Sequence, residues 1–149
     1  MSDIAFYHLT RFSLEQALPK LLEKTLQVGK RALVQVGSED RAEALTNDLW
    51  TYQADSWLPH GCEKDGHADK QPIWITPGQE NANKAEFLFL SDGCENDQIN
   101  AFERCFVIFD GRSDQAVQKA RVQWKSYKDA GHDLTYWQQT DSGGWEKKA

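Results

Sequence analysis

Short apolar runs alternate with helical segments in the N-terminal third of the chain, and this order constrains the fold more than any other feature. Residues 4–9 (IAFYHL) and 32–36 (ALVQV) have the length and apolar character of buried strands. A segment with helical spacing follows each of them, beginning near Ser13 and near Ser38. Strands that alternate with helices in this way are typical of a parallel sheet with helices packed against it.

The first helical segment contains its own start and stop signals. Ser13, with Gln16 three residues later, forms the pattern of a capping box, and Gly29 stands where a helix would end. Side chains suited to burial recur on one helical face, namely Leu14, Ala17, Leu18, Leu21, Leu22 and Thr25. Pro19 lies inside this pattern, so we expect a kink or a late start there, because proline lacks the N–H that a helix interior uses.

The rest of the chain predicts further elements of the same kinds. They are strands at 73–76 (IWIT), 87–90 (FLFL) and 105–109 (CFVIF), a short helix at 96–104, and a long helix from the cap Ser113 to about residue 130. Polar residues at 61–71 and 77–84 predict loops, and the pattern after His132 assigns no element. We therefore predict one domain, 1–149, with a Rossmann-like three-layer α/β fold, a mostly parallel five-stranded sheet and helices on both faces.

Composition and charge exclude several classes of protein. The 149 residues have a formal net charge of -6 at pH 7, which argues against a general polyanion binder because phosphate binding needs clustered lysine and arginine. No run approaches the roughly 18–20 apolar residues of a membrane-spanning helix, and the N-terminus lacks the pattern of a signal peptide, so we expect a cytoplasmic protein. The 3 cysteines are odd in number and widely spaced, which indicates reduced thiols.

Nucleotide chemistry is missing from the positions where this architecture would need it. A phosphate-binding loop requires glycines between a strand and the following helix, so that backbone N–H groups can approach the phosphate. Thr10 to Ser13 contain no glycine after the first strand, and only Gly37 precedes Ser38 after the second. We therefore predict neither a nucleotide nor any other cofactor.

Metal binding and catalysis have only weak candidates. His60, Cys62 and His67 match no standard zinc spacing and lack a fourth ligand, so polar loop residues are the simpler interpretation. Asp110 and Asp114 follow the predicted strand 105–109, where α/β enzymes often place acids. An aspartate in a turn before a helix is the commoner explanation, so an enzyme that uses these two acids is retained as an alternative only.

A basic and aromatic stripe lies on the predicted last helix. Arg121, Trp124, Lys125 and Lys128 follow the spacing i, i+3, i+4, i+7 and therefore share one helical face. On an acidic chain this concentration indicates a local site for a ligand that is anionic and partly apolar. The alternative is structural, since basic residues near a helix C-terminus offset the macrodipole and an indole can cover the edge of a core.

Trp57 stands beside Leu58 and Pro59 in a segment without periodicity. A large aromatic side chain on an extended, proline-containing loop either fills the core or meets a partner, and tryptophan is enriched at interface hot spots. The residues alone leave the two possibilities open.

With these residues in view, the chain resembles the chi subunit of bacterial DNA polymerase III over nearly its full length. The resemblance rests on FYHL (6–9), GKRALV (29–34), LWTY (49–52), SWLPHG (56–61), QPIWIT (71–76), IFDG (108–111) and ARVQWKSYKDAGHDLTYWQQ (120–139). Each block alone is weakly specific, whereas their order and spacing together are specific to this family.

The resemblance implies a Rossmann-like fold without a nucleotide, no catalytic activity of its own, and membership of a DNA-directed DNA polymerase, a nucleotidyltransferase complex. It implies two partners, the psi subunit or another component of the clamp loader and the acidic C-terminal tail of single-stranded DNA-binding protein, with DNA reached mainly indirectly. The tail-binding positions of the family match Arg121, Trp124 and Lys125, to which the helical spacing adds Lys128. An aromatic residue that faces psi in the family matches Trp57, with Leu58 and Pro59 beside it.

Overall fold

One sheet runs through the part of the chain described by the computed structural model, which comprises residues 3–51, 60–62 and 66–149. Its strands are β1 (Asp3–Leu9), β2 (Ala32–Gln35), β3 (His60–Cys62), β4 (Ile73–Thr76), β5 (Phe87–Leu90), β6 (Arg104–Asp110), β7 (Asp133–Gln139) and β8 (Trp145–Lys147). The order across the sheet is β3-β4-β2-β5-β6-β1-β7-β8, and every pair of neighbours is parallel except β7 and β8. The predicted α/β class with a mostly parallel sheet is therefore confirmed.

The prediction of five strands was too low, since the described residues form 8 strands. The five predicted strands are present, and β3, β7 and β8 are additional. Strand β3 extends into the predicted loop 61–71, which also contains a 3-10 turn at Ala68–Lys70. Its sequence HGC is buried in the sheet yet contains no apolar run, so only its pairing with β4 identifies it as a strand.

The helices are α1 (Leu14–Gln27), α2 (Glu39–Thr51) and α3 (Asp114–Asp129). The capping box predicted for Ser13 and Gln16 is present, and α1 continues through Pro19 from its first residue, so the late start was wrong. Gly29 follows the helix with φ +77°, a left-handed conformation that glycine adopts without strain. The predicted caps Ser38 and Ser113 accept hydrogen bonds from the backbone N–H groups of Arg41 (3.1 Å) and Ala116 (3.3 Å).

The short helix predicted at 96–104 was wrong. A single 3-10 turn, Ile99–Ala101, stands in its place, and Arg104 already belongs to β6. The side chain of Asn96 explains the difference, because its oxygen accepts from the Gln98 N–H (2.8 Å) and its amide donates to Gln35 Oε1 (3.0 Å). Such local bonds from asparagine compete with helical bonds and favour turns.

The strands divide their side chains between two cores. Ala5 and Leu9 lie on the face that α1 and α2 cover, whereas Ile4 and Phe6 lie on the face that α3 covers. This division follows from the twofold alternation of side chains along a strand. Helices on both faces give the predicted three layers. The side chains of the two cores between these layers are almost fully buried.

The side chain of Gln139, at the end of β7, holds the loop between β1 and α1. Its Oε1 atom accepts hydrogen bonds from three consecutive backbone N–H groups, those of Thr10 (3.1 Å), Arg11 (3.0 Å) and Phe12 (2.9 Å). Gln139 is 4% exposed, so water does not readily replace this acceptor. Other Rossmann-like proteins use the backbone N–H groups of this loop to bind a phosphate. Here three of these N–H groups already donate to an amide oxygen of the protein itself.

Replacement of Gln139 by alanine should lower the free energy of unfolding by about 2–4 kcal/mol, because three part-buried donors lose their common acceptor. Chemical denaturation measures the change. Gln138→Ala is the matched control, since this neighbour accepts none of these bonds, and a change within about 0.5 kcal/mol is expected for it. Equal losses in the two variants would contradict the role of Gln139.

Candidate functional site

Three neighbouring strands place aromatic side chains on the sheet face below α3. The register of β1 sets Phe6 opposite Tyr136 of β7, and His8 opposite Phe109 of β6. Because residues two apart on a strand point to the same face, Phe6 and His8 both face α3. The sheet therefore presents a continuous aromatic floor at this end of the helix.

Helix α3 and this floor enclose a pocket, which we call the α3 pocket, of about 390 Å³. The helix contributes Val117, Ala120, Arg121 and Trp124, which recur at the i, i+3, i+4, i+7 spacing of one helical face. Ala149 also lines the pocket, held there by hydrogen bonds between its backbone and that of Tyr136. The lining is mostly apolar, and Arg121 is its only permanently charged side chain among the described residues.

Trp124 forms the wall that joins the helix to the floor. Its ring meets Phe6 edge to face at a centroid distance of 5.2 Å and Tyr136 at 6.0 Å. The side chain is half-buried, so one part of the indole stabilises the core and the other lines the pocket. The two interpretations of Trp124 from the sequence, core edge and site, are therefore compatible with each other.

The basic residues of the stripe remain available for a ligand. Arg121, Lys125 and Lys128 are all exposed on α3. Within the described part of the chain, none of them takes part in an ion pair, whereas Lys119 on another face of the same helix lies 3.5 Å from Glu95. All four stripe residues therefore lie on α3, where their spacing places them on one helical face. Arg121 and Trp124 line the α3 pocket, whereas Lys125 and Lys128 are not among its lining residues in the described part of the chain.

His8 and Tyr136 form the polar part of the pocket floor. The Nδ1 atom of His8 and the hydroxyl of Tyr136 are hydrogen-bonded to each other. Burial lowers the pKa of His8 despite the nearby Asp110 carboxylate, so the ring is neutral near pH 7. Burial also raises the pKa of Tyr136, opposed by the positive charge of Arg121. His8 and Tyr136 are therefore two neutral groups that are hydrogen-bonded to each other, and neither adds a charge to the floor of the α3 pocket.

The His8 ring leaves no room for a side chain at Gly111, the glycine of the IFDG block. A Cβ atom at Gly111 would lie 1.8 Å from His8 Nε2, far inside any allowed contact. The Gly111 N–H also donates to the carbonyl of Leu9 at 2.7 Å. The turn after β6 thus packs directly against the end of β1, which positions the imidazole over the pocket.

A second cavity of about 740 Å³ lies at the carboxyl ends of β1, β5 and β6, between α1 and α3. This crevice is where open α/β sheets commonly bind ligands. The arginines that line it are held by carboxylates of the protein itself. Arg41 contacts Glu15 and lies 3.4 Å from Asp92, and Arg112 lies 3.1 Å from Asp110. Each of these arginines therefore already has a carboxylate partner within the protein.

Asp110 has the contacts of a turn aspartate. Its Oδ1 atom accepts from the backbone N–H of Arg112 at 2.9 Å and from the Arg112 guanidinium at 3.1 Å. Burial opposes ionisation of this carboxyl, but these hydrogen bonds and the nearby positive charge outweigh it and lower its pKa. Asp114 is exposed in the first turn of α3, where a negative charge favours the helix. The turn interpretation of Asp110 therefore has the better structural support.

The three weak metal candidates are dispersed among different environments. His60 is buried and its Nε2 lies 3.0 Å from the carbonyl of Thr46. Cys62 is buried in the core below α2, whereas His67 is exposed with φ 56°. No cluster of three or more metal-binding side chains occurs among the described residues.

The second predicted interface consists of Trp57, Leu58 and Pro59. These three residues lie outside the described residues. Their assignment remains a prediction from the sequence.

Comparison with known proteins identifies the family. The family model described as "DNA polymerase III chi subunit, HolC" matches residues 1–135. The chain belongs to this family. A relative from Escherichia coli (strain K12), named DNA polymerase III subunit chi, is 28% identical over 123 residues, covering 82% of this chain and 83% of the relative. Another from Rickettsia prowazekii (strain Madrid E), named probable DNA polymerase III subunit chi, is 27% identical over 117 residues, covering 74% of this chain and 71% of the relative. The chi family thus comprises subunits of a DNA polymerase, as the resemblance implied.

Sequence reasoning missed the sheet side of the α3 pocket. Phe6, His8, Phe109 and Tyr136 line it, yet none was proposed as a site residue. Alternation along FYHL was sufficient to place Phe6 and His8 on one face. The strand register that adds Tyr136 could not be obtained from a segment that had no assigned element.

Among the described residues, no helix is long and apolar enough to cross a membrane.

Glu15→Gln should reduce stability at neutral pH and have little effect in acid. Burial disfavours the Glu15 carboxylate, but backbone hydrogen bonding and Arg41 outweigh it and hold its pKa below the usual 4.5. A lowered carboxyl pKa stabilises the fold above the unfolded-state value, and this contribution is lost as pH falls through the folded-state value.

Urea denaturation at pH 7 and near pH 3 tests this expectation, with a loss of about 1–3 kcal/mol at pH 7 for a partly buried pair. Glu80→Gln, on an exposed loop, is the control and should change the free energy of unfolding by less than about 0.5 kcal/mol in either measurement. A loss of the same size at both pH values would mean that the pair with Arg41 does not stabilise the fold through charge.

Proposed function

We propose that this chi-family chain is a non-catalytic adaptor of the DNA polymerase III holoenzyme. It links the clamp loader to the C-terminal tail of single-stranded DNA-binding protein during DNA replication. The observation that carries this proposal is an apolar pocket lined by Arg121 and Trp124 of a helix that also exposes Lys125 and Lys128. Among the described residues, none of these three cations takes part in an ion pair. Membership of the chi family supports the setting, a replicative polymerase.

The chemistry of the tail fits the α3 pocket. The tail is acidic and ends in an apolar residue with a free carboxylate, as the family resemblance implies. A guanidinium such as Arg121 can hold a carboxylate through two parallel hydrogen bonds. Trp124 offers apolar surface for the last side chain, and the exposed Lys125 and Lys128 attract the preceding acids. Each part of the ligand thus meets a side chain of matching chemistry.

The charge distribution favours a protein tail over bare nucleic acid. The chain has a net charge of -6, so a long polyanion meets repulsion outside the stripe, whereas a short peptide contacts the stripe alone. Direct binding to single-stranded nucleic acid is the rival, and it predicts strong, salt-dependent affinity for an oligonucleotide. Under the adaptor proposal DNA is reached mainly indirectly, through the protein that coats it.

The clamp-loader side is proposed to use a different part of the chain. Trp57, with Leu58 and Pro59, matches the position that faces the psi subunit in the family. A partner there, psi or another clamp-loader component, leaves the α3 pocket to the tail. The adaptor would then hold two partners at once.

Arg121→Ala should weaken binding of the tail peptide by about 2 kcal/mol or more, because a desolvated charge pair loses one member. Lys128→Ala should cost less, since an exposed pair contributes roughly 0–1 kcal/mol. Calorimetric titration of the C-terminal peptide of single-stranded DNA-binding protein measures both affinities. Added salt should weaken the binding but leave an apolar component.

Lys119→Ala is the matched control for Arg121→Ala. It removes the same charge from the same helix, but Lys119 lines the crevice and lies near Glu95. Its tail affinity should equal that of the wild type, and circular dichroism should show that all variants are folded. If Arg121→Ala and Lys119→Ala bind the peptide equally well, the stripe is a solvated helix face and the proposal fails.

Trp57→Ala should weaken association with the clamp loader by about 2 kcal/mol or more if Trp57 is an interface hot spot. Tail binding should be unchanged, because the proposal assigns the two partners to different residues of the chain. A pull-down of clamp-loader components together with a tail-peptide titration measures both effects. If the variant unfolds instead, Trp57 belongs to the core and the interface assignment is refuted.

A further inference from the structure

The last fourteen residues of the chain contribute to the α3 pocket, although the match to the chi family model ends at residue 135. Tyr136 is the first residue beyond that match and lies on the pocket floor, and Ala149 lies at the pocket's side. Strand β8 returns antiparallel to β7, which brings Ala149 beside Tyr136. The C-terminal hairpin, which we define as residues 136–149, is therefore built into the site.

We propose that the C-terminal hairpin is a binding element of the α3 pocket, and that Tyr136 and Ala149 determine which last side chain of an acidic peptide the pocket accepts. This inference rests on the proposed function. It assigns a part of the pocket lining that lies outside α3 and that the stripe therefore does not supply.

Several contacts hold the hairpin in a fixed position. The backbone N–H groups of Lys148 (2.7 Å) and Ala149 (3.4 Å) both donate to the carbonyl of Tyr136, and the Tyr136 N–H donates to Ala149 (3.3 Å). On the other sheet face, the ring of Trp145 stacks on Tyr7 at a centroid distance of 4.7 Å. These bonds and this stacking fix the wall before any ligand arrives, which reduces the entropy cost of binding.

The Tyr136 ring is packed from three sides, so its position sets the depth of the pocket. Its centroid lies 6.0 Å from that of Trp124, 5.9 Å from that of His8 and 6.3 Å from that of Phe109. The hydroxyl already has a hydrogen-bond partner in His8. The ring surface therefore acts on the ligand, and its removal deepens the pocket and lowers its selectivity for size.

Two bulky substitutions separate a role in binding from a role in folding. Ala149→Trp places an indole at the side of the pocket, on an exposed residue where it need not disturb the core. Ser142→Trp adds the same bulk at the exposed turn of the same hairpin, away from the pocket, with no change of charge. Ala149→Trp should weaken binding of the tail peptide by roughly tenfold or more, and Ser142→Trp by less than about twofold.

Tyr136→Ala and Tyr136→Phe test the selectivity. Wild type and both variants are titrated with a series of tail peptides that end in alanine, leucine, phenylalanine or tryptophan. Tyr136→Ala should reduce the preference among these peptides by about tenfold, as a removed pocket wall does. Tyr136→Phe keeps the ring and should preserve the preference within about threefold.

The outcomes distinguish the inference from the function on which it rests. If wild type binds the peptide and Arg121→Ala weakens it, but Ala149→Trp binds as wild type does, the role of the hairpin is overturned and the proposed function stands. An unchanged preference in folded Tyr136→Ala overturns the selectivity in the same way. If wild type binds no peptide of the series, both are overturned.

Discussion

Strand β1 pairs in parallel with two neighbours along almost its whole length, and the positions of the other elements depend on this pairing. All seven of its residues are in register with β6, and six of them with β7. Its alternation sends Ala5 and Leu9 into the core below α1 and sends Phe6 and His8 below α3. A slip of one residue would exchange these two sets. The aromatic floor of the α3 pocket therefore has the same origin as the fold.

The basic residues of two surfaces, the crevice and the stripe on α3, differ in their ion pairs. Carboxylates of the chain lie within 4 Å of Arg41, Arg112 and Lys119, all of which line the crevice at the carboxyl ends of the strands. The Gln139 amide similarly satisfies the backbone donors of the loop after β1. The protein thus keeps a Rossmann-like architecture, while the groups that usually bind an anion there already interact with acceptors of the protein itself. The stripe on α3 has no such internal partners among the described residues, so it differs in this respect from the basic residues that line the crevice.

The α3 pocket combines this availability with apolar depth. A stripe of cations on a solvated face would attract any anion weakly, because exposed charge pairs contribute little free energy. An adjacent pocket adds burial, which does not weaken with salt and which responds to the shape of the ligand. The register of three strands, the helical spacing on α3 and the return of the C-terminal hairpin supply the lining together. The family match ends at residue 135, so the hairpin is the part of this lining that the match does not cover.

The sequence by itself determined the α/β class, the five strands with apolar runs, the caps at Ser13, Ser38 and Ser113, and the shared face of Arg121 and Trp124. Each depends on spacing within one segment, which a single sequence displays directly. Tertiary structure alone decided the strands β3, β7 and β8, because HGC and WEK become strands through hydrogen bonds to neighbours rather than through their own composition. It also decided the helix that failed at 96–104, where the Asn96 side chain bonds to Gln35 from a distant strand. The pocket floor belongs to this second group, since Phe109 and Tyr136 meet His8 only when strands far apart in sequence are placed in register.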